Sequence, residues 1–284
     1  MILLTHRKRW VYLILVGTCV LACSTSPIKH AEDQRAELAR QVDEEIAVGR
    51  QMAAKLLGRL GESKDAEALT YLNLVGQSLA KRVGRPEITF HFGILNTDEI
   101  NALATPGGYI FVTRGLLYMI HTESELAAIL GHEIAHVNER HMYLKISKNK
   151  ERSVTAGETI ARILAHGGAD VAASISAMVN EGIDILLTQG LAKEKEFEAD
   201  EAGMVYAATA GYNPTSLASF LKRLHQEKQK IKLSPAYPPF IDRLKALVAS
   251  LSRNALDNRT DADTTLMKER FQRALAGIAE GGNQ

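Results

Sequence analysis

The stretch Leu126-Ala127-Ala128-Ile129-Leu130-Gly131-His132-Glu133-Ile134-Ala135-His136 decides the fold of this chain. Its apolar first half favours a helix, and two histidines four residues apart follow with a glutamate between them. Because an α-helix turns by about 100° per residue, residues four apart lie on one face. The two imidazoles can therefore bind one zinc ion, and Glu133 can reach a water beside that ion without competing for it.

The helix that carries this motif is predicted to run from Glu123 to about His141, with Thr122 as its N-cap. The apolar pattern of this helix predicts that the two motif histidines point toward the interior. This placement makes a chance occurrence of the five-residue motif the less favoured explanation. His141 lies nine residues after His132, about 180° away on a continuing helix. That position favours a surface or capping role for His141 over a ligand role.

A catalytic zinc site has three protein ligands and one open position, so a third ligand is needed. Glu196 and Asp200 are four residues apart and share one face of a second predicted helix. Glu196 can bind the metal while Asp200 accepts the N–H of a ligating imidazole, for which His132 is the candidate. Spacing alone leaves the choice open, because Glu194 and Glu198 form an equivalent pair on the opposite face. A solvated, charged helix surface is the simpler interpretation of the whole segment.

These motifs resemble those of the gluzincin metallopeptidase family that includes the HtpX, Oma and BepA proteases. That family pairs His-Glu-x-x-His with a later Glu-x-x-Ala-Asp, which stands here at residues 196–200. The resemblance implies that Glu196 is the third ligand and that Asp200 supports a ligating histidine. A further family block, Asn-Ala-x-Ala-x-Pro-Gly-Gly, stands at residues 101–108. The resemblance covers roughly residues 40–250 and implies an α+β, mainly helical, zincin-like domain.

The sequence departs from the family pattern in the segment where many members carry Ser-x-His-Pro followed by an arginine. In this sequence Tyr237 replaces that histidine, and Arg243 occupies the arginine position. Peptide hydrolysis needs a donor for the oxyanion of the tetrahedral intermediate, and either side chain could supply it. The alternative for Tyr237 is simple packing within a proline-rich loop.

The small β-structure is predicted beside the motif helix. Residues 88–95 alternate and are rich in β-formers, and residues 100–113 form a hairpin around the turn Pro106-Gly107-Gly108. The resemblance implies that a strand here lies along the active-site cleft, where its edge can bind an extended substrate backbone. The residues expected to contact substrate are Asn101, Ala102 and Leu103.

Helical patterns account for most of the remaining chain. The apolar segment 154–191, interrupted at Gly167-Gly168, either packs as core helices or covers the cleft as a lid, and the core alternative is favoured. Residues 142–153 are basic and polar, which predicts a loop. Further helices are predicted over 31–60, 65–83, 192–210, 215–229 and, weakly, 263–279.

The first 30 residues predict a bacterial lipoprotein. A basic segment precedes an apolar run of about 13 residues, which is too short to span a membrane comfortably but suits a secretory signal. The run ends in Val20-Leu21-Ala22-Cys23, which resembles a lipobox with Cys23 as the lipidated residue; Ser24 then implies sorting to the outer membrane. An uncleaved signal anchor is the alternative. The predicted organisation is a signal peptide (1–22), a lipidated tether (23–30), a zinc metallopeptidase domain (31–253) and a polar tail (254–284).

Composition agrees with one globular catalytic domain. The chain has 284 residues, 46% of them hydrophobic, and a formal net charge of +1, with no basic patch that would suit nucleic acid. Its two cysteines, Cys19 and Cys23, both lie in the leader region, so a zinc site cannot use sulfur. The expected function is that of a zinc endopeptidase with one Zn²⁺ per chain, facing the periplasm and acting on misfolded or unassembled envelope proteins. The alternative is a non-catalytic chaperone or assembly factor working with the outer-membrane assembly machinery.

Overall fold

The computed structural model describes residues 27–153, 168–227, 240–256 and 263–280. The leader, Cys23, Tyr237, Gly167 and residues 154–166 lie outside the described residues. The helices are α1 (Pro27–Leu60), α2 (Ala66–Ala80), α3 (Arg114–Met119), α4 (Glu123–Asn138), α5 (His141–Ser153), α6 (Gly168–Asp184), α7 (Lys193–Thr209), α8 (Ser216–Glu227), α9 (Phe240–Arg253) and α10 (Thr265–Glu280). The strands are β1 (His91–Leu95), β2 (Ala102–Thr105) and β3 (Tyr109–Thr113). This composition confirms the predicted α+β, mainly helical class.

Two compact units divide the chain after Asp43. In the first unit the described part is the exposed start of α1, where Glu37 pairs with Arg40 at 2.7 Å. The second unit, Glu44–Gln284, holds the sheet, the remaining helices and the candidate site. Among the described residues, no helix has both the length and the apolar composition needed to cross a membrane.

The three-stranded sheet has the order β1-β3-β2. β2 and β3 pair antiparallel, with Ala102 opposite Val112, which confirms the predicted hairpin. β1 runs parallel to β3. The hairpin turn packs tightly on α1: Gly107 has a φ of 71°, and a Cβ there would lie 2.7 Å from the Cα of Ile46. Only glycine suits this turn, because it allows both the positive φ and the close approach.

The motif helix α4 is the centre of the second unit. Thr122 caps it as predicted, since its side chain accepts a hydrogen bond from the Glu125 N–H, and residues 123–137 are all buried. α4 packs against α7 through a glycine pair, because a Cβ on Gly131 would lie 2.6 Å from the carbonyl oxygen of Gly203. This contact brings the backbones of the two candidate ligand-bearing helices together.

The prediction of a loop over residues 142–153 is wrong, because this segment is α5. Met142, Tyr143 and Ile146 are buried on one side of the helix, while Leu144 and Lys148 face solvent. Lys148, one of the basic residues that suggested a loop, therefore lies on the exposed face of an amphipathic helix.

The second half of the apolar segment 154–191 packs in the core. Met178 and Val179 of α6 and the following Ile185 join one buried cluster with Met52 of α1 and Ile146 of α5. This placement agrees with the core alternative for residues 178–186, and the π-helical turn Ile185–Gln189 then reaches the cleft described below.

The predicted polar tail contains a helix that packs on the domain. In α10, Phe271 meets Tyr71 of α2 in an edge-to-face contact at 6.4 Å between ring centroids. Arg270 of the same helix forms an ion pair with the fully buried Glu123 at the start of α4. α10 therefore contributes to the structure around the N-terminus of the motif helix.

Candidate metal centre

Three buried side chains converge between α4 and α7. The Nε2 atoms of His132 and His136 lie 3.0 Å apart. Carboxylate oxygens of Glu196 lie 3.4 Å from Nε2 of His132 and 3.6 Å from Nε2 of His136. Two nitrogens bound to one tetrahedral zinc ion at ~2.0–2.1 Å would be about 3.3 Å apart. The donor set and its spacing therefore fit a zinc site.

The structure brings Glu196 to the histidines and turns the alternative pair away from them. Glu194 is exposed, and Glu198 pairs with Lys195 at 2.7 Å on the outer side of α7. Glu196 is 7% exposed and belongs to the one group of three potential metal ligands found within the described residues. Of these glutamates, only Glu196 therefore lies beside the two motif histidines.

Behind His132, a carboxylate and a guanidinium hold the imidazole in place. Oδ1 of Asp200 lies 2.8 Å from Nδ1 of His132. Arg243 of α9 donates two hydrogen bonds to the same carboxylate, at 2.8 and 2.6 Å. Burial raises the pKa of Asp200, but the Arg243 charge and the His132 contact outweigh it and hold that pKa below its ordinary value. An ionised Asp200 fixes the Nδ1–H tautomer of His132, which leaves Nε2 to face the metal position.

The surroundings also shift the pKa values of the motif side chains. Burial raises the pKa of Glu133 to about 7, which suits a group that exchanges protons near neutral pH. Burial lowers the pKa of His136 to about 3, so its imidazole is neutral. Burial and Arg243 also lower the pKa of His132, but hydrogen bonds to Asp200 and Glu196 outweigh them, and the pKa rises to about 9.

His141 lies in the interior next to His136, so its predicted surface position is wrong. The motif helix ends at Asn138, Arg140 adopts a φ of 56°, and α5 begins at His141. This turn redirects the chain, and Nδ1 of His141 comes within 3.0 Å of Nδ1 of His136. Sequence reasoning missed the contact because neither glycine nor proline marks the break.

A buried ion-pair network anchors that turn. Glu45 of α1, which is 0% exposed, accepts hydrogen bonds from Nε of Arg140 at 2.9 Å and from both terminal nitrogens of Arg85 at 3.0 and 3.1 Å. Arg85 also donates to the carbonyl of Val137 near the end of α4, at 3.2 Å. The network therefore ties the end of the motif helix to α1.

A cleft with a cavity volume of about 90 Å³ opens onto the convergent ligands. Glu133 and Arg243 line it, and so do the three residues expected to contact substrate: Asn101, Ala102 and Leu103. β2 is an edge strand, and within the described ranges no other strand pairs with its outer side. Sequence reasoning missed the apolar walls, because they come from separate elements without a shared motif: Leu116, Ile129, Met142, Ile185, Leu186, Leu191 and Leu217.

Comparison with known proteins gives matches along most of the second unit. The sequence model of peptidase family M48 matches residues 67–251, more than half of the chain. A beta-barrel assembly-enhancing protease of Yersinia pestis is 27% identical over 235 residues, which cover 78% of this chain and 47% of that protein. Metalloprotease LoiP of Escherichia coli is 24% identical over 197 residues, covering 68% of this chain and 74% of that protein. Mitochondrial metalloendopeptidase OMA1 of Arabidopsis thaliana is 27% identical over 137 residues, covering 48% of this chain and 26% of that protein. The chain spans less than half the length of the beta-barrel assembly-enhancing proteases that it matches.

Proposed function

Because the chain belongs to peptidase family M48, we propose that it is a zinc-dependent endopeptidase that hydrolyses peptide bonds in misfolded or unassembled cell-envelope proteins. The observation that carries this proposal is the convergence of His132, His136 and Glu196 beside Glu133 in one cleft. Two imidazoles and one carboxylate are a donor set of zinc hydrolases, which leave a fourth position open. The named relatives are proteases, and one name refers to β-barrel assembly, which supports an envelope substrate.

Glu133 is the proton carrier in the proposed reaction. When bound, zinc polarises the scissile carbonyl and lowers the pKa of a water toward ~7. Glu133 lines the cleft and is buried, and its carboxylate takes the proton of the attacking water. It then delivers that proton to the leaving amine nitrogen. A pKa of about 7 lets Glu133 perform both transfers at neutral pH.

Two charged residues beside the ligands, Asp200 and Arg243, have separate roles in this proposal. Asp200 holds the tautomer of His132, and Arg243 holds Asp200 with two hydrogen bonds. Arg243 also lines the cleft and is one of two candidate donors to the oxyanion. Tyr237 is the other candidate, and it lies outside the described residues. Loss of turnover at unchanged zinc content in Arg243→Lys, but not in Tyr237→Phe, would assign the donor role to Arg243.

The position of the edge strand β2 supports the proposal that the substrate is an unfolded protein. Residues 101–104 line the cleft next to the metal position, so an extended peptide added to this edge would run past the ligands. Main-chain pairing of this kind recognises a backbone in the β conformation and accepts many side chains. A folded protein seldom offers a free extended segment, whereas a misfolded or unassembled one does.

The envelope location rests on the leader sequence. Cleavage before Cys23 and lipidation of its thiol would attach the protein to the outer membrane facing the periplasm. Two or more acyl chains are needed for a stable anchor, and a bacterial lipoprotein carries them. At this location the chain would meet unassembled outer-membrane proteins and the machinery that assembles them.

A non-catalytic chaperone or assembly factor is the alternative function. A purely structural zinc site closes its coordination with a fourth protein ligand and has no use for a general base. Glu133 in the cleft therefore favours the hydrolase.

The experiment compares wild type with Glu133→Gln, both as the full-length chain purified in detergent. We expect equal zinc content in the two proteins, and cleavage of a reduced, carboxymethylated test protein by wild type alone. The inactive variant should also retain envelope substrates that proteomics can identify. Equal cleavage by Glu133→Gln would refute the assigned mechanism, and a wild type that binds zinc without cleaving any envelope protein would favour the alternative.

A further inference from the structure

The second nitrogen of His136 faces another histidine instead of a carboxylate. Nδ1 of His136 lies 3.0 Å from Nδ1 of His141, and Nε2 of His141 lies 3.0 Å from Oε2 of Glu198. His141 is 4% exposed, and its ring meets that of His136 edge to face with 5.1 Å between centroids. The three side chains form a continuous chain of contacts from the metal position to the surface of α7.

Hydrogen-bond chemistry allows one arrangement of donors and acceptors along these three side chains. To bind a metal through Nε2, His136 must carry its proton on Nδ1, so this atom is a donor. Nδ1 of His141 is then the acceptor, which places the proton of His141 on Nε2. That N–H points to Glu198, whose carboxylate can only accept. Every atom of the chain is thus satisfied when Glu198 is ionised and His141 is neutral.

We propose that His141, backed by Glu198, is the positioning residue for the metal ligand His136. Metal-binding histidines usually donate their other N–H to a group that fixes ring direction and tautomer, and His141 fills that position here. The inference rests on the proposed function, because it assigns a role at the same zinc site. It adds two residues that neither the motif nor its spacing indicates.

The two histidine ligands are therefore supported unequally. His132 is held by Asp200, which is 1% exposed and clamped by Arg243. His136 is held by an uncharged ring, whose own partner Glu198 is 49% exposed and shared with Lys195. Removal of the Glu198 carboxylate should therefore lower the zinc affinity less than removal of His141, because water can replace an exposed carboxylate.

Packing alone is the competing explanation for His141, and two variants separate it from hydrogen bonding. His141→Phe keeps an aromatic ring and removes both nitrogens. His141→Asn loses the ring but keeps an acceptor, Oδ1, at the same number of bonds from Cα as Nδ1. If His141 acts through its hydrogen bond, Asn rescues the site and Phe does not. If it acts through packing, the order is reversed.

The experiment measures Zn²⁺ affinity of the full-length protein by competition with a chromophoric chelator. We expect His141→Phe to bind Zn²⁺ about 10–100-fold more weakly than wild type, with His141→Asn recovering most of that loss. Glu198→Gln should lose only a few-fold, since its amide oxygen can still accept. Visible absorption of the Co²⁺-loaded proteins should change in His141→Phe, because the direction of one ligand ring changes. The control is His91→Phe, at an exposed histidine of β1.

The outcomes distinguish this inference from the proposed function. Wild-type affinity in His141→Phe, or a loss in His141→Asn as large as in His141→Phe, would overturn the positioning role while leaving the zinc site intact. If wild type itself binds no zinc, the proposed function fails with it. Equal melting temperatures of the chelator-treated variants would show that any difference in affinity arises at the site and not from unfolding.

Discussion

Replacement of Glu45 by glutamine should destabilise the protein strongly, because it removes the anion from a buried network. Glu45 is 0% exposed and lies within 3.1 Å of Arg85 and 2.9 Å of Arg140. Arg85 is 9% exposed and Arg140 is 18% exposed, so neither guanidinium can return to water without a rearrangement. The amide of glutamine fits the same space but brings no charge.

The magnitude follows from the cost of an uncompensated buried charge. Removal of one partner of a buried ion pair destabilises proteins by about 3–5 kcal/mol. Glu87 remains 2.6 Å from Arg85 but is 40% exposed, so it compensates only in part. We therefore expect a loss near the lower end, about 3 kcal/mol, which in a domain of this size lowers Tm by roughly 6–12 °C.

Urea unfolding followed by far-ultraviolet circular dichroism measures the free energy of unfolding of Glu45→Gln against wild type. The matched control is Glu201→Gln, which breaks an ion pair between Glu201 and Arg253 with side-chain exposures of 38% and 58%. An exposed pair contributes about 0.2–1 kcal/mol, so this control should stay close to wild type. A loss below about 1 kcal/mol in Glu45→Gln would refute the reasoning, because the two guanidiniums would then tolerate the interior without their anion.

Four further predictions concern the site and the leader. Glu196→Ala should abolish stoichiometric zinc binding, measured by metal analysis, whereas Glu194→Ala should bind as wild type; the reverse result would transfer the ligand role to Glu194. Asp200→Asn should weaken zinc affinity by about 10–100-fold in chelator competition, because the support of His132 is lost, and an unchanged affinity would contradict that role. Zinc binding to the chelator-treated protein should release about one proton at pH 7.5, seen by calorimetry in two buffers, because the pKa of His132 is raised to about 9 and its proton must leave. The apparent affinity should accordingly rise about tenfold per pH unit up to pH ~9, and an affinity that is flat over this range would show that His132 is already neutral. Cys23→Ala should accumulate as an unprocessed precursor, detected by mass spectrometry, and a mature N-terminus elsewhere would exclude the lipoprotein assignment.

The parts of the fold that could be predicted from sequence are those in which local pattern and final environment agree. The motif helix, its cap at Thr122 and the hairpin around the Pro-Gly-Gly turn each carry their own signal within a few residues. The choice of Glu196 as the candidate third ligand needed the family resemblance, because periodicity gave Glu194 and Glu198 equal standing. Helix spacing states which residues share a face, but not which face is buried.

What could not be predicted depends on contacts between distant segments. The end of α4 is held by Glu45, about ninety residues upstream, and the turn at Arg140 has no glycine or proline to announce it. The position of His141, the helix α5 and the chain of contacts to Glu198 all follow from that turn. The parallel pairing of β1 with β3 is likewise a long-range contact, because residues 96–101 and the strand β2 lie between them in the sequence.

The glycine pair at the crossing of α4 and α7 makes the candidate metal centre sensitive to a single methyl group that reaches only the helix backbone and none of the metal-binding atoms. A Cβ on Gly203 would lie 2.4 Å from the backbone nitrogen of His132, and ordinary contact would require the helices to separate by roughly 1 Å. Metal–ligand bonds tolerate only about 0.2 Å. His132 and Glu196 lie on opposite sides of this crossing, so their separation is fixed by backbone touching backbone. Side-chain changes elsewhere in the core can be accommodated by a change of rotamer. The contact at this crossing is between two backbones, so it has no side-chain rotamer that could adjust.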